Sequence, residues 1–222
     1  MSAVLSRAHF TFEDYLAWEE TQTERHEYIG GEIFAMAGGS TVHNTLSGNA
    51  YIALRSRTRA TPCRVYIADV KLQVEAADDS FYPDVFVTCS AADAERRTVQ
   101  QDALLIIEVL SPSTEGHDRG DKFAAYRLLP SLQTVLFVAQ GQPHIEAFSR
   151  NADGTWTLHE ASGLDAQLTC TAAERSFIFS LADLYAGVDF SAAAAEKAAA
   201  SSGTSAQTSA SARSAFRQSN RS

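Results

Sequence analysis

We predict an α/β fold of the mixed α+β kind, in which a central mixed sheet is flanked by helices, from three features of the sequence. The segment ALLIIEVLSP, residues 103–112, is apolar almost throughout, as expected for a central strand covered on both faces. The segment CRVYIADVKLQVEA, residues 63–76, alternates polar and apolar side chains, which is typical of a half-buried strand. The order helix, strands, helix, strands then indicates one layered domain with a mixed sheet.

The N-terminal region is predicted to form a helix, a hairpin and a second helix. TFEDYLAWEE, residues 11–20, combines a capping threonine with acids in the first turn and an apolar side. HEYIGGEIFAMAG, residues 26–38, places Gly30-Gly31 between two short apolar runs, which predicts a tight turn between paired strands. TVHNTLSGNAYIALRSRTRA, residues 41–60, has apolar residues at helical spacing.

The remaining segments predict further strands and two shorter helices. The turn residues that separate them are of the usual Asn, Asp, Gly and Pro types. We expect strands at residues 82–89, 134–140, 144–150 and 155–161, a helix at 118–130 that proline terminates, and a small helix at 179–187.

One folded domain is expected over residues 1–190. A chain of 222 residues with 45% hydrophobic content can bury one sizeable core. Residues 191–222 are rich in alanine and serine and have little to bury, so we expect a disordered tail. No run approaches the roughly 18–20 apolar residues of a membrane span, and no apolar signal core is present. We therefore expect a soluble, cytoplasmic protein without a membrane partner.

Cysteine spacing and net charge narrow the class further. Cys63, Cys89 and Cys170 show no zinc-site or disulfide-framework spacing, so all three are expected to be reduced. The net charge of −9 argues against a large basic nucleic-acid surface. Residues 191–222 hold four cations and one acid, a net charge of +3, which leaves −12 on residues 1–190. A role with nucleic acid would therefore need local positive patches or a metal ion.

Glu108 needs an explanation, because it lies inside the apolar strand 103–112. A buried carboxylate costs several kcal/mol unless a cation or a metal ion pairs with it. Pro83-Asp84 delivers a second acid at the start of a neighbouring predicted strand, and Lys122 follows on the next helix. Two carboxylates from neighbouring strands suit Mg²⁺, which leaves room for phosphate oxygens. A lysine can then hold the attacking water or neutralise charge on the phosphate.

The segments YPDV, IIEVLSPST and DRGDKFAAYR, with YIGGEIFAMAGGSTVH upstream, resemble the Uma-two family of restriction endonucleases within the PD-(D/E)XK nuclease superfamily. The resemblance covers roughly residues 10–185. It implies a restriction-endonuclease-like core and a Mg²⁺-dependent nuclease, with Mn²⁺ as a substitute. We expect DNA as the partner and no small organic cofactor.

The resemblance also assigns catalytic residues. Asp84 would be the aspartate of the PD element, and Glu108 the acid of the (D/E)XK element. The sequence departs from the superfamily at Leu110, where a lysine usually stands. The resemblance implies that Lys122 takes over this role. Asp69-Val70-Lys71 spells the same short pattern but precedes the PD pair, so we interpret it as an exposed strand face and keep Lys71 in reserve.

Three residues are predicted to support the site. Glu27 is either an additional metal-binding or neighbouring acid, or a surface acid beside the hairpin. His43 either orients water or phosphate at the metal, or caps its helix. Tyr126 lies one turn beyond Lys122, and it either lines the site or packs in the core with its hydroxyl at the edge.

Structural alternatives remain open for other candidates. Glu108 could pair with a buried cation, and Lys122 could form a helix-surface salt bridge with Asp118 worth a few tenths of a kcal/mol. A cluster of arginines at the end of the 41–60 helix could contact phosphates, although cations are favoured at a helix C-terminus anyway. These predicted nucleic-acid-binding residues are Arg55, Arg57 and Arg59.

The predicted function is a Mg²⁺-dependent DNA endonuclease, and we expect a homodimer because nucleases of this type often pair to reach both strands. Leu110 and the acidic body leave two rival functions open. One is a binding or regulatory protein that kept the nuclease fold without turnover, and the other is a metal-dependent hydrolase of a smaller phosphoester. A Ser/His/Asp hydrolase is poorly supported, since Ser111 and Thr114 lack a convincing partner.

Overall fold

The computed structural model describes residues 4–6, 9–36 and 38–190. Contacts divide the chain into two units, Met1–Val188 and Asp189–Ser222. The predicted tail at 191–222 lies outside the described residues. No helix within the described ranges is both long and apolar enough to cross a membrane.

The described residues form fourteen strands and six short or medium α-helices. The strands are β1 (Val4–Ser6), β2 (His26–Ile29), β3 (Glu32–Ala35), β4 (Arg64–Ile67), β5 (Lys71–Val74), β6 (Asp79–Phe81), β7 (Val85–Thr88), β8 (Val99–Gln100), β9 (Ala103–Leu110), β10 (Thr134–Ala139), β11 (His144–Arg150), β12 (Trp156–Ser162), β13 (Gln167–Ala172) and β14 (Arg175–Ser180). The helices are α1 (Phe12–Glu19), α2 (Thr41–Thr58), α3 (Ala91–Glu95), α4 (Glu115–His117), α5 (Phe123–Tyr126) and α6 (Leu181–Leu184). A π-helical turn, Asp118–Lys122, joins α4 to α5, and a 3₁₀ turn covers Glu75–Ala77.

The strands build two six-stranded sheets and a two-stranded ribbon. The first sheet has the order β1-β3-β2-β6-β5-β8, the second the order β12-β11-β10-β9-β7-β4, and β13 pairs with β14. In the second sheet β9 runs parallel to β10 and antiparallel to β7. This mixed sheet, with α2 packed against β4, β7 and β9, confirms the predicted fold class.

The N-terminal helix and hairpin form as predicted, for local reasons. The Thr11 side chain accepts a hydrogen bond from the backbone N–H of Asp14, whose carboxylate in turn accepts from the backbone of Thr11, a complete capping box. Gly30 and Gly31 both have positive φ, 54° and 88°, as the tight two-residue turn requires. Glu27 thus lies in β2, three residues before the first glycine of the turn.

The predicted strand at 63–76 is wrong as a single element. It splits into β4 and β5, which belong to different sheets. The break lies at Ala68, whose φ of 54° is left-handed. Its backbone N–H donates to the carbonyl oxygen of Asp84 at 3.0 Å, and this contact fixes the break. A left-handed alanine carries no sequence signal, because glycine is the usual residue there.

The main core joins both large sheets to α5. Phe81, Phe86, Ile106, Tyr126 and Phe137 are buried in it, and Leu110 belongs to the same cluster. Leu110 lies two residues from Glu108 and therefore on the same face of β9. Packing in the core explains why this position is apolar.

Three expectations need correction elsewhere in the chain. The ribbon β13–β14 was not predicted, and it replaces the first part of the helix expected at 179–187, which shortens to α6. The helical stretch expected at 118–130 starts earlier, at α4, and ends at Tyr126. Cys63 and Cys89 form a disulfide, because they flank β4 and β7 at the paired positions Arg64 and Thr88, whereas Cys170 is free and buried.

Candidate functional site

Asp84 and Glu108 face each other across β7 and β9. Val85 pairs with Ile107 in the antiparallel register, so one further step places Asp84 opposite Glu108. Residues directly opposite in an antiparallel pair point to the same face of the sheet. The backbone N–H of Asp84 donates to Glu108 Oε2 at 3.3 Å, which ties the two acids together.

One oxygen of Asp84 is held by the protein. The backbone N–H of Val109 donates to Oδ2 at 2.7 Å, and His43 Nε2 lies 3.1 Å from the same atom. Among the described residues these contacts all fall on Oδ2, so Oδ1 is the oxygen with room for another ligand. The side chain is 17% exposed, hence it lies at the mouth of the site rather than in the core.

Glu108 is the most deeply buried acid of the group, at 2% exposed. The Tyr126 hydroxyl donates to Oε1 at 2.6 Å. Burial raises the pKa of Glu108 to about 8; Lys122 opposes this shift, and the charges of Asp84 and Asp118 add to it. At neutral pH this carboxyl therefore holds a proton unless a further cation arrives.

Lys122 enters the site from the π-helical turn. Its ammonium Nζ lies 2.8 Å from Glu27 Oε1, 3.4 Å from Asp118 Oδ1 and 3.8 Å from Glu108 Oε1. Burial alone would lower the pKa of Lys122, but these three acids outweigh it and hold the pKa well above its usual range. Lysine therefore stays charged and serves as the internal cation of the cluster.

Asp118 and Lys122 both point into the site from the π-helical turn that they bound. A π turn widens the helix locally and is frequent at functional sites. Both side chains are nearly buried, at 5% and 9% exposed, so their contact is not the helix-surface salt bridge that the spacing alone allowed. Asp118 therefore belongs to the acid cluster, a place that the sequence did not predict for it.

Glu27 is a buried acid of the site, not a surface acid, with its side chain 9% exposed. Burial alone would raise its pKa, but Lys122 and His117 outweigh that effect and hold the pKa of Glu27 below its usual range. The contact with Lys122 is a buried ion pair, with 2.8 Å between Nζ and Oε1. His117 Nε2 lies 3.8 Å from Oε2.

The two histidines lie at the rim. Burial lowers the pKa of His43, but the hydrogen bond and charge of Asp84 outweigh it, and the net shift is upward. The nearby carboxylate of Glu27 raises the pKa of His117 and outweighs the opposing effect of burial. The side chain of His43 contacts Asp84 and does not cap the helix. The cap is Ser40, whose hydroxyl oxygen accepts a hydrogen bond from the backbone N–H of His43. His117 was not predicted, although its place just before Asp118 was a usable signal.

Two sets of predicted cations lie elsewhere. Arg55, the first of the three arginines, follows His43 by twelve residues along α2, a rise of about 18 Å. The structure therefore does not bring Arg55, Arg57 and Arg59 into the acid cluster. Lys71 lies over the ring of Tyr82, at 5.2 Å, so the reserve candidate is not the lysine of the site.

A second group of possible metal ligands lies beside an arginine, which already pairs with one of its acids. His144, Glu146 and Glu160 offer ligand atoms within 4.8 Å of one another on β11 and β12. However, both carboxylate oxygens of Glu146 contact the guanidinium of Arg119. Two acids directly opposite each other repel, and arginine offsets that repulsion. We therefore interpret this group as an ion-pair network.

The main cluster, in contrast, has the donors that suit Mg²⁺. The acid groups of Glu27, Asp118 and Glu108 lie 2.8, 3.4 and 3.8 Å from the ammonium of Lys122, and Asp84 lies beside Glu108. The donors are all oxygens, the ligands that Mg²⁺ and Mn²⁺ prefer. The excess negative charge and the free oxygen of Asp84 fit a divalent cation.

Two acids opposed on a mixed sheet, with a lysine from the following helix, form the arrangement that the resemblance in the sequence implied. The model of the Uma2 family, described as "Putative restriction endonuclease", matches residues 12–182. The chain belongs to this family, which confirms the resemblance found in the sequence.

Two relatives and one solved structure are similar to this chain. "Uncharacterized protein slr1290" of Synechocystis sp. is 38% identical over 146 residues, which cover 66% of this chain and 77% of that protein. "Uncharacterized protein sll1609" of the same organism is 33% identical over 171 residues, covering 76% and 96%. A crystal structure of a "putative nuclease belonging to DUF820" from Anabaena variabilis superposes with a TM-score of 0.63 at 16% identity, covering 79% of this chain and 97% of that one. That likeness shows the fold.

Proposed function

We propose that the protein is a metal-dependent endonuclease that hydrolyses phosphodiester bonds in DNA. The observation that carries the proposal is the acid pair Asp84 and Glu108, opposed across β7 and β9, with the ammonium of Lys122 at 3.8 Å from Glu108. Membership of a family described as restriction endonucleases supports the same function.

Asp84 and Glu108 would hold one Mg²⁺, or Mn²⁺ in its place. When bound, the ion would supply positive charge to the phosphate oxygens as negative charge develops on them. Its arrival would favour the ionised form of Glu108, whose proton would leave. Tyr126 keeps the Glu108 carboxylate in one orientation through its hydroxyl.

Lys122 would act on the attacking water or on the charge of the phosphate. Its ammonium is pre-placed by Glu27 and Asp118, so little reorganisation is needed during the reaction. His43 would keep Asp84 Oδ2 occupied and aim Oδ1 at the ion. These roles need no lysine at position 110, since Lys122 supplies the ammonium from the helical segment instead of the strand.

The experiment is a cleavage assay with supercoiled plasmid and, in parallel, with a small aryl phosphodiester. Wild type, Asp84→Ala and Glu108→Ala are incubated with Mg²⁺, with Mn²⁺ and with EDTA. Glu160→Ala is the control, because it removes an exposed acid on β12, opposite Glu146 and outside the acid cluster. We expect nicked or linear plasmid from wild type and Glu160→Ala only, and none with EDTA.

Other outcomes separate the rival functions. Turnover of the aryl ester without plasmid cleavage would indicate a hydrolase of small phosphoesters. Metal binding without any turnover would indicate a binding protein that kept the fold. The homodimer also stays a prediction, which light scattering of the purified chain would test.

A further inference from the structure

A buried carboxylate outside the site, that of Glu19 on α1, joins the two segments that carry Asp84 and Glu27. Only 7% of Glu19 is exposed. Its Oε1 accepts hydrogen bonds from the Tyr82 hydroxyl at 2.8 Å and from the backbone N–H of His26 at 3.0 Å. Its Oε2 lies 2.9 Å from His26 Nδ1. Tyr82 stands two residues before Asp84, and His26 directly precedes Glu27.

The start of β2 depends on α1 for its backbone hydrogen bonds. The carbonyl oxygen of Arg25 accepts a hydrogen bond from the backbone N–H of Met36, so the backbone of Arg25 faces β3. Successive residues of a strand face opposite sides, and the N–H and C=O of His26 therefore point away from β3. In the described part of the chain β6 pairs only with the last two residues of β2. Glu19 takes the N–H, and the Tyr15 hydroxyl donates to the carbonyl oxygen at 2.6 Å. β3 still pairs with the whole of β2, but without these contacts the N–H and C=O of His26 lose their partners on the other edge, one residue before Glu27.

The Tyr82 end of this connection is equally constrained. The residue is 5% exposed, and the ammonium of Lys71 lies over its ring at 5.2 Å. Pro83 follows with a fixed φ, so the segment has little freedom between Tyr82 and Asp84. A displaced Tyr82 would therefore displace Asp84.

We propose that Glu19 is a positioning residue that sets the separation between Asp84 and Glu27 across the site. It acts through Tyr82 and His26 and holds no ligand itself. This inference rests on the proposed function, because the separation matters only if Asp84 holds the metal while Glu27 holds the ammonium of Lys122 beside it. Partners that orient ligands typically change metal affinity by about 10–100-fold, so we expect about tenfold weaker Mn²⁺ binding for Glu19→Ala.

The control is Asp93, a carboxylate of the same kind at a different place. It is fully buried and accepts the backbone N–H groups of Gln101 and Asp102, both at 3.0 Å. It lies by the opposite ends of β7 and β9 from the acid pair. Asp93→Ala should therefore lower thermal stability as Glu19→Ala does, without a change in the metal site.

The experiment measures Mn²⁺ affinity by electron paramagnetic resonance and folding by circular dichroism on the full chain. We expect about tenfold weaker binding for Glu19→Ala, a smaller loss for Tyr82→Phe, and binding within about twofold of wild type for Asp93→Ala. The double variant Glu19→Ala/Tyr82→Phe should bind no more weakly than Glu19→Ala, since both changes break one connection. Glu19→Gln, which keeps an acceptor oxygen, should restore most of the affinity.

The outcomes separate this inference from the function on which it rests. Wild type that binds no Mn²⁺ would overturn both. Wild type that binds, with Glu19→Ala binding equally well or Asp93→Ala losing as much affinity as Glu19→Ala, would overturn the positioning role alone. If Glu19→Ala does not fold, Tyr82→Phe decides, and unchanged affinity in that variant overturns the role.

Discussion

Metal binding should displace a proton from Glu108, and the amount follows from the structure. Burial raises the pKa of this carboxyl to about 8, against the opposing effect of Lys122 and with the help of Asp84 and Asp118. Metal ions bind the ionised carboxylate, so binding and deprotonation are linked. Metal titrations at different pH values therefore test whether Glu108 loses its proton.

The magnitude can be worked out from that pKa. A group with a pKa of about 8 is about 90% protonated at pH 7, so each Mn²⁺ bound should release about 0.9 proton there and about 0.1 at pH 9. The ionised fraction rises from about 1% at pH 6 to about 90% at pH 9, so the apparent affinity should rise about ninetyfold between these values. The direction follows because protons compete with the metal below the raised pKa.

Calorimetry in buffers of different ionisation enthalpy measures the number of protons released. His43 has a raised pKa and contacts Asp84, so its proton could contribute, and His43→Gln isolates the share of Glu108. Glu108→Gln should abolish that share. If wild type and His43→Gln both release no proton at pH 7 and bind equally well at pH 6 and pH 9, the linkage at Glu108 is refuted.

Three other changes test the packing of the site and of the hairpin. Lys122→Met leaves buried acids without their cation, so it should lower the free energy of unfolding in urea by about 3–5 kcal/mol and abolish cleavage. Lys122→Arg should recover part of the stability. An unchanged unfolding midpoint for Lys122→Met would contradict the buried ion pair. Tyr126→Phe removes the 2.6 Å hydrogen bond to Glu108 and should cost about 1–3 kcal/mol in metal-free protein, so a neutral result would contradict that bond. Gly30→Ala and Gly31→Ala should each lower Tm, because both glycines have positive φ, and the exposed His9 side chain near Gly31 can turn away from an added Cβ. An unchanged Tm in either variant would contradict the strained turn.

Local chemistry in the sequence predicted the N-terminal elements well. The capping threonine at residue 11, the paired glycines at 30–31 and the helical spacing in 41–60 each act within a few residues, and each element forms where expected. The central strand β9 also follows from its apolar run. Asp84, Glu108 and Lys122 then lie together because β7, β9 and the next helix are neighbours, although their catalytic roles stay predictions.

Other features depend on contacts that no local pattern encodes. Asp118 joins the acid cluster because the turn at 118–122 packs with Asp118 and Lys122 facing inward, and their four-residue spacing does not show whether that face is buried or exposed. The strand predicted at 63–76 breaks at a left-handed alanine that Asp84 fixes through its carbonyl. The disulfide joins Cys63 and Cys89, which are 26 residues apart, and it depends on the register of β4 against β7. The role proposed for Glu19 likewise depends on tertiary contacts.

The central claim is that Asp84 and Glu108 bind one divalent cation between them. A crystal soaked in Mn²⁺ tests it most directly, through the anomalous difference density of the metal. We predict a peak in contact with both carboxylates, within reach of Asp84 Oδ1 and absent in Glu108→Ala. A peak only at His144, Glu146 and Glu160, or none at saturating Mn²⁺, would contradict the account.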